Sequence, residues 1–320
     1  MLSIVVPVHN ESEVLGTFHA RLSTVLSRLA MAAEIVYVDD GSADGSSDLL
    51  RRIRVSDSRV AILELSRNFG KEAAMTAGLD HVHGDATVVI DADLQDPPEL
   101  IEQMVAEWQK GNDVVTARRI RRNGESWLRV ALSHLFYRML NRVSEVPIPV
   151  DVGDYRLMSR RAVEALRDLR ERNRYMKGLF AWVGYPQKEL PYVRDARRSG
   201  KSKWGFGKLV GFALDGLTSF TWAPLRMATL VGVLVATGAL AMGGIIVVKT
   251  LLYGDPVPGY PSLMCVVLFL GGMQLFAIGV QGEYLGRLFV ESKRRPLYLL
   301  KNIQPAADIV ALHKIREQRG

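Results

Sequence analysis

Up to about residue 117, short apolar runs alternate with longer stretches whose apolar positions recur every three to four residues. The runs Leu2 to Val8, Glu34 to Val38, Val60 to Leu65, Thr87 to Ile90 and Asp113 to Ala117 read as strands. Between them, Glu11 to Leu29, Asp44 to Arg54, Lys71 to His83 and Pro98 to Lys110 read as helices. The strand runs are apolar throughout rather than alternating, so this β-α order predicts an α/β fold with a mainly parallel sheet covered on both faces. In such sheets, ligands sit at the carboxyl ends of the strands. The opening Met1 to Pro7 has no basic segment ahead of its apolar run and reads as the first strand, not as a signal peptide.

The pattern changes after residue 120. Asn123 to Val146 reads as a basic amphipathic helix with Trp127, Leu135 and Phe136 on its apolar side, suited to a membrane interface or to ordinary packing. Pro147 and Pro149 end it, and a further strand begins near Asp154. Trp204 to Trp222 is aromatic and charged only at Lys208 and Asp215, which suits a second interfacial segment. Met227 to Val248 carries no charge and is long enough to cross a bilayer, and Ser262 to Val280 repeats the feature. Lys293, Arg294 and Arg295 follow the second stretch, so positive charge places both termini in the cytoplasm and only the connector around Asp255 outside. The expected division is a soluble domain over 1–224, a two-helix membrane region over 225–286 and a basic tail over 287–320.

Chemistry concentrates at the predicted strand ends. The run Val88-Val89-Ile90 leads into Asp91-Ala92-Asp93-Leu94-Gln95-Asp96-Pro97-Pro98. If the chain stays extended, Asp91, Asp93 and Gln95 point the same way and small Ala92 leaves room for a ligand. An oxygen-only set suits Mg²⁺ or Mn²⁺ with positions left for substrate phosphates, although acidic pairs at strand ends are also common as solvated turns. Asp96, with Pro97 next and Glu99 three residues on, reads as a helix N-cap, and Asp44 reads the same way. Pro7, Asn10 and Glu11 end the first strand and Asp39-Asp40-Gly41-Ser42 ends the second. No G-x-G-x-x-G or Walker motif occurs, so the site is acidic where those folds are glycine-rich. Arg67 and Lys71 bring cations to the same rim, and Arg118 is placed to meet a phosphate. The loop Arg197-Arg198-Ser199-Gly200-Lys201-Ser202-Lys203-Trp204 sets hydroxyls and a glycine among cations, as phosphate-binding loops do.

The net charge of +7 suits an anionic partner, either nucleic acid or a membrane with phosphorylated substrates. The basic residues crowd the membrane flanks, which favours the latter and no nucleic acid. The single Cys265 excludes a disulfide framework.

Taken together, Ile4-Val5-Val6-Pro7 with Asn10-Glu11, Val38 to Ser42, Ser66 to Glu72, Asp91 to Pro98, Met176 to Tyr185, the 197–204 loop and Gly282 to Arg287 resemble the polyisoprenyl-phosphate glycosyltransferases. These are inverting enzymes of GT-A fold in glycosyltransferase family 2, among them bactoprenol glucosyltransferases and dolichol-phosphate mannose synthases. The resemblance covers about residues 2 to 298 and departs at Lys201 and Trp204. It implies metal and diphosphate positions at Asp91, Ala92, Asp93 and Gln95, and nucleotide positions at Pro7, Asn10, Glu11, Asp39 and Asp40. It further implies phosphate contacts from Lys71, Arg118, Arg197, Ser202 and Lys203, and catalytic roles for Asp93 and Asp154, the latter as base or as a positioning group. The donor it implies is a nucleotide sugar, UDP-glucose first, with UDP-galactose, UDP-aminoarabinose derivatives and GDP-mannose behind. The acceptor is undecaprenyl phosphate in a bacterial inner membrane, and the assembly a homo-oligomer, a tetramer. A processive polysaccharide synthase would carry Gln-x-x-Arg-Trp and more spans; a non-catalytic membrane scaffold would not need the acidic motif.

Overall fold

A computed structural model of the protein describes residues 1–121, 152–172, 174–193, 223–253 and 259–308. Its centre is an eight-stranded sheet built from β1 (Leu2–Val8), β2 (Ala33–Asp39), β3 (Val60–Leu65), β4 (Ala86–Val89), β5 (Val114–Arg121), β6 (Val152–Ser159), β7 (Gln187–Val193) and β8 (Leu300–Gln304). The strand order is β7-β5-β6-β4-β1-β2-β3-β8. β4, β1, β2 and β3 run parallel, as does β5 with β7, whereas β6 is antiparallel to both its neighbours and β8 is antiparallel to β3.

Six helices cover the sheet: α1 (Ser12–Arg28), α2 (Ser46–Ser56), α3 (Lys71–Asp80), α4 (Leu100–Gln109), α5 (Arg160–Asp168) and α6 (Met176–Trp182). The continuous apolar strands explain the layering. Leu2, Ile4 and Val6 pack with Phe18 of α1, Leu50 of α2 and Met104 of α4 on one face. Val5, Val36 and Val38 pack with Met75 of α3, Leu166 of α5 and Phe180 of α6 on the other. The first four strands and helices lie close to where the hydrophobic pattern puts them. The edge strands β7 and β8 do not follow from it, because both are largely exposed. β8 corrects the expectation of a plain basic tail after residue 287: Leu300–Gln304 closes the edge of the sheet against β3.

α7 (Ala223–Tyr253) and α8 (Tyr260–Ser292) pack against each other as a hairpin and leave most of their apolar side chains exposed. Over Leu225–Tyr253, α7 is long and apolar enough to cross a membrane, and it is the one such helix among the described residues. The expected second span falls within α8, a 33-residue helix that also carries Glu283, Arg287 and Glu291. The amphipathic segments expected at 123–146 and 204–222 lie outside the described residues.

Gly78 sets how closely α3 approaches the sheet, since a Cβ there would lie 2.3 Å from Cγ1 of Val5, a fully buried residue of β1. Gly78→Ala should push α3 off β1 and cost about 1–3 kcal/mol, the usual scale of overpacking. A thermal-unfolding midpoint of the detergent-solubilised protein equal to the parent's would refute this.

Candidate active site

Three loops at the carboxyl ends of β1, β2 and β3 are joined by side chains the sequence marked as ligand contacts. Asp39 accepts the backbone N–H of Ser42 at 3.0 Å and the hydroxyl of Ser47. Asp40 accepts the N–H groups of Phe69 at 2.7 Å and Gly70 at 2.9 Å, tying the second loop to the start of α3. Burial pushes the Asp40 carboxyl up, and these two N–H donors only partly offset it. Asn10 sits in the left-handed region at φ 57°, receives the Ala43 N–H at 2.9 Å and donates its own N–H to Ser42 Oγ at 3.0 Å. His9 Nδ1 lies 2.9 Å from the Asp40 carbonyl, which can only accept, so Nδ1 carries the proton and Nε2 accepts from Asn68 Nδ2 at 2.9 Å.

Gly41 follows from this stitching. At φ +69°, a Cβ would stand 2.7 Å from backbone atoms of Arg67 and Asn68. Asp44 does cap, but more widely than expected: it receives the N–H of Ser12, which opens α1, at 2.9 Å, and that of Ser46, which opens α2, at 3.0 Å. Burial opposes its charge, yet the bonds from Ser46 and Ser12 hold its carboxyl well below the usual range. Pro7 is half-buried at the end of β1, and Glu11 precedes α1, its N–H donated to Ser46 Oγ at 3.0 Å.

At the acidic motif the structure departs from the expected extended chain. β4 ends at Val89, residues 92–93 form a turn, and Leu94 takes φ 61°. Alternation is broken there, so the parity that set Gln95 beside Asp91 and Asp93 does not hold; Gln95 is buried and its N–H donates to Asp93 Oδ1 at 3.1 Å. Ala92 is buried in the core. Asp96 is not the N-cap of α4, which begins at Leu100 after Glu99. Its buried carboxylate instead accepts the hydroxyl of Tyr192 on β7, while Tyr155 on β6 donates to the Pro97 carbonyl at 2.9 Å. Two tyrosines thus anchor the turn from below.

The decisive contact joins two strands. β4 and β6 pair with Val89 opposite Arg156, and continuing that register brings Asp91 opposite Asp154. The ammonium of Lys71, the first residue of α3, lies between them, 2.7 Å from Asp91 and 2.6 Å from Asp154. Burial works against the Asp154 charge, but Lys71 and then Lys177 hold Asp154 below the ordinary carboxylate range, and the two carboxylates raise Lys71. The other Asp154 oxygen, Oδ1, is buried and has no hydrogen-bond partner among the described residues.

Under this bridge lie further charged groups. Arg156 is buried, stacks on the Phe180 ring at 3.6 Å and donates to the Gly153 carbonyl at 2.7 Å. Burial lowers its pKa to about 10, opposed by Asp154 and Glu72. Glu72 accepts the N–H of Met176, the first residue of α6, at 3.3 Å. Arg119, not Arg118, faces the acidic turn. Its Nε donates to Tyr192 Oη at 3.2 Å, whereas Arg118 is exposed and pairs with Glu189 at 3.1 Å. Strand parity separates these neighbours, a signal present in the sequence once the strand is known to reach Arg121. Arg197, Ser202 and Lys203 lie outside the described residues.

Oxygen donors fit a hard divalent cation. Among the described residues no three acidic, histidine or cysteine side chains form a closed cage, so Asp91 and Asp93 would leave positions open for diphosphate and water. Burial, then repulsion from Asp154, pushes the Glu72 carboxyl from 4.5 up to about 7. A carboxyl raised on folding contributes stability that is complete below its unfolded value and is lost as pH rises through its folded one. Glu72→Gln, permanently neutral, should therefore gain stability relative to the parent between about pH 5 and pH 8. A difference in denaturation midpoint that stays constant across that interval would contradict the assignment.

The profile of glycosyl transferase family 2 matches residues 3–167, and that of the GtrB C-terminal hairpin matches residues 223–288. An uncharacterised glycosyltransferase of Synechocystis is 47% identical over 94% of this chain and 95% of its own length. The bactoprenol glucosyl transferase of Shigella phage SfV is 45% identical over 94% and 98%, and a prophage bactoprenol glucosyl transferase homologue of Escherichia coli is 43% identical over 95% and 99%. With a GT-A-like α/β sheet that gathers acidic residues along one rim and the matching hairpin later in the chain, this chain belongs to glycosyl transferase family 2.

Proposed function

We propose that the protein transfers a hexose, glucose from UDP-glucose as the first choice, to a membrane polyisoprenyl phosphate, with inversion at the sugar carbon. The observation that carries this is the pairing of Asp91, on the donor side, with Asp154, on β6, across a single ammonium. Full-length similarity to bactoprenol glucosyl transferases supports the choice of sugar and acceptor.

A lipid monophosphate has a second pKa of about 6, so at neutral pH it is already a dianion and a competent nucleophile. One phosphate oxygen bonds to sugar C1 as the C1–O bond to the nucleotide breaks, and the electron pair leaves on the diphosphate oxygen. No proton has to move. Asp154, held ionised below its ordinary range by Lys71, is accordingly a positioning group for the acceptor side and the cations around it rather than a general base. Lys71 and Arg119 supply positive charge near the departing diphosphate. Asp91 and Asp93 would hold Mg²⁺ or Mn²⁺, which supplies Lewis-acid neutralisation of the leaving group. Asp39, Asp40 and Asn10 shape the nucleotide pocket mainly by fixing its loops.

Incubating membranes with a panel of nucleotide sugars and analysing lipid extracts by mass spectrometry should yield a hexosyl polyprenyl phosphate with UDP-glucose. Asp91→Asn and Asp93→Asn should each lower its formation by about 10²-fold or more, the scale of one lost transition-state contact. Undiminished product in those variants and in chelator would remove the metal reading, and product only from another donor would reassign the sugar.

The hairpin follows from the acceptor: each buried CH₂ is worth about 0.8 kcal/mol, so the polyprenyl tail stays in the bilayer and the site must come to the headgroup level. Both α7 and α8 are proposed to span, with the catalytic domain and both termini cytoplasmic. Asp255→Cys in a Cys265→Ala background should react with an impermeant maleimide in intact cells, and Ser199→Cys and Gln318→Cys should not. Labelling at residue 199 from outside would reverse the orientation.

A further inference from the structure

Lys71 has a place in the site that no phosphate-binding role explains. Its ammonium has three N–H donors, and it lies 2.7 Å from each of Asp91 Oδ1 and Oδ2 and 2.6 Å from Asp154 Oδ2. The carboxylate it occupies is the one proposed above to take the divalent cation. Two cations cannot share Asp91 at that range without strong repulsion. Nor is Lys71 fixed there by packing, since its side chain is 41% exposed and its four-carbon stem can turn. When Lys71 leaves Asp91 it keeps Asp154, whose second oxygen has no partner among the described residues, and has the donor diphosphate to meet.

We infer that Lys71 is a resident counter-cation of the donor-free enzyme, competing with the divalent cation for Asp91 and released toward Asp154 and the diphosphate when the nucleotide binds. Three consequences follow. The donor-free site binds divalent cation weakly. Nucleotide and cation binding assist one another, because the diphosphate supplies the charge that Lys71 gives up at Asp91, and this assistance is reciprocal by linkage. Asp154 keeps a cationic partner in both states, so the acceptor side stays organised while the donor side fills.

This rests on the metal reading of Asp91, and the test separates the two. Mn²⁺ binding to the full-length protein in detergent is titrated by electron paramagnetic resonance, with and without UDP, for the parent and for Lys71→Gln. The expected result is Mn²⁺ affinity of the UDP-free variant raised by about five-fold or more, the scale of one site-to-site coupling, and a smaller gain in affinity on adding UDP than the parent shows. Lys71→Met carries the same expectation if Lys71→Gln does not fold, and the thermal-unfolding midpoint without nucleotide reports folding in either. If the parent binds Mn²⁺ with UDP but the variant's UDP-free affinity is unchanged or weaker, the competition is refuted and the metal reading stands. If the parent binds no Mn²⁺ even with UDP, the metal reading falls and the competition with it.

Discussion

The fold brings a concentration of carboxylates to one rim of a sheet, and much of the surrounding structure serves to accommodate them. Asp39 and Asp40 stand at the end of β2, Asp91, Asp93 and Asp96 follow β4, and Asp154 lies near the start of the antiparallel β6. Unpaired charges at such depth would be costly. Each is met differently. Asp39 and Asp40 take backbone N–H groups and a hydroxyl, Asp93 takes the N–H of Gln95, Asp96 takes a tyrosine, and Asp91 and Asp154 share one lysine. The carboxylates met by fixed donors shape the loops. The pair met by a flexible side chain is where ligand exchange is cheapest.

That division assigns roles within what looks in sequence like one acidic set. Asp39, Asp40 and Asp44 are chiefly architectural: they fix the three loops and the first turns of α1, α2 and α3 relative to each other. Asp91 and Asp93 are the pair proposed to hold an exchangeable cation. Asp154 connects them to a buried layer in which Arg156 stacks on Phe180 and Glu72 holds the start of α6. This layer gives the loops a rigid floor. It also links α3, through Lys71 and Glu72, to β6 and α6.

The helical hairpin obeys a different solvent rule. α7 and α8 expose apolar side chains along most of their length, an arrangement stable only against lipid or a partner of similar character. Glu291 of α8 nevertheless accepts the backbone N–H of Arg172 at 3.0 Å, and β8, just beyond, pairs with β3. The hairpin is therefore tied to the catalytic domain by its outgoing end.

The sequence by itself determined the layered α/β core, since continuous apolar runs separated by amphipathic helices admit few other arrangements, and it located the acidic rim because strand ends are readable where such runs stop. It also located, from charge-free length, the helix that is long and apolar enough to cross a membrane. Tertiary structure alone decided which carboxylates are architectural, because hydrogen-bond partners such as Phe69 for Asp40 or Tyr192 for Asp96 are distant in the chain. It broke the parity argument for Gln95 through the left-handed Leu94 and found β7 and β8, whose exposed residues carry no hydrophobic signal. Above all, Asp91 meets Asp154 only through the antiparallel register of β4 and β6, and a pairing between strands separated by more than sixty residues leaves no local trace in the residues that form it.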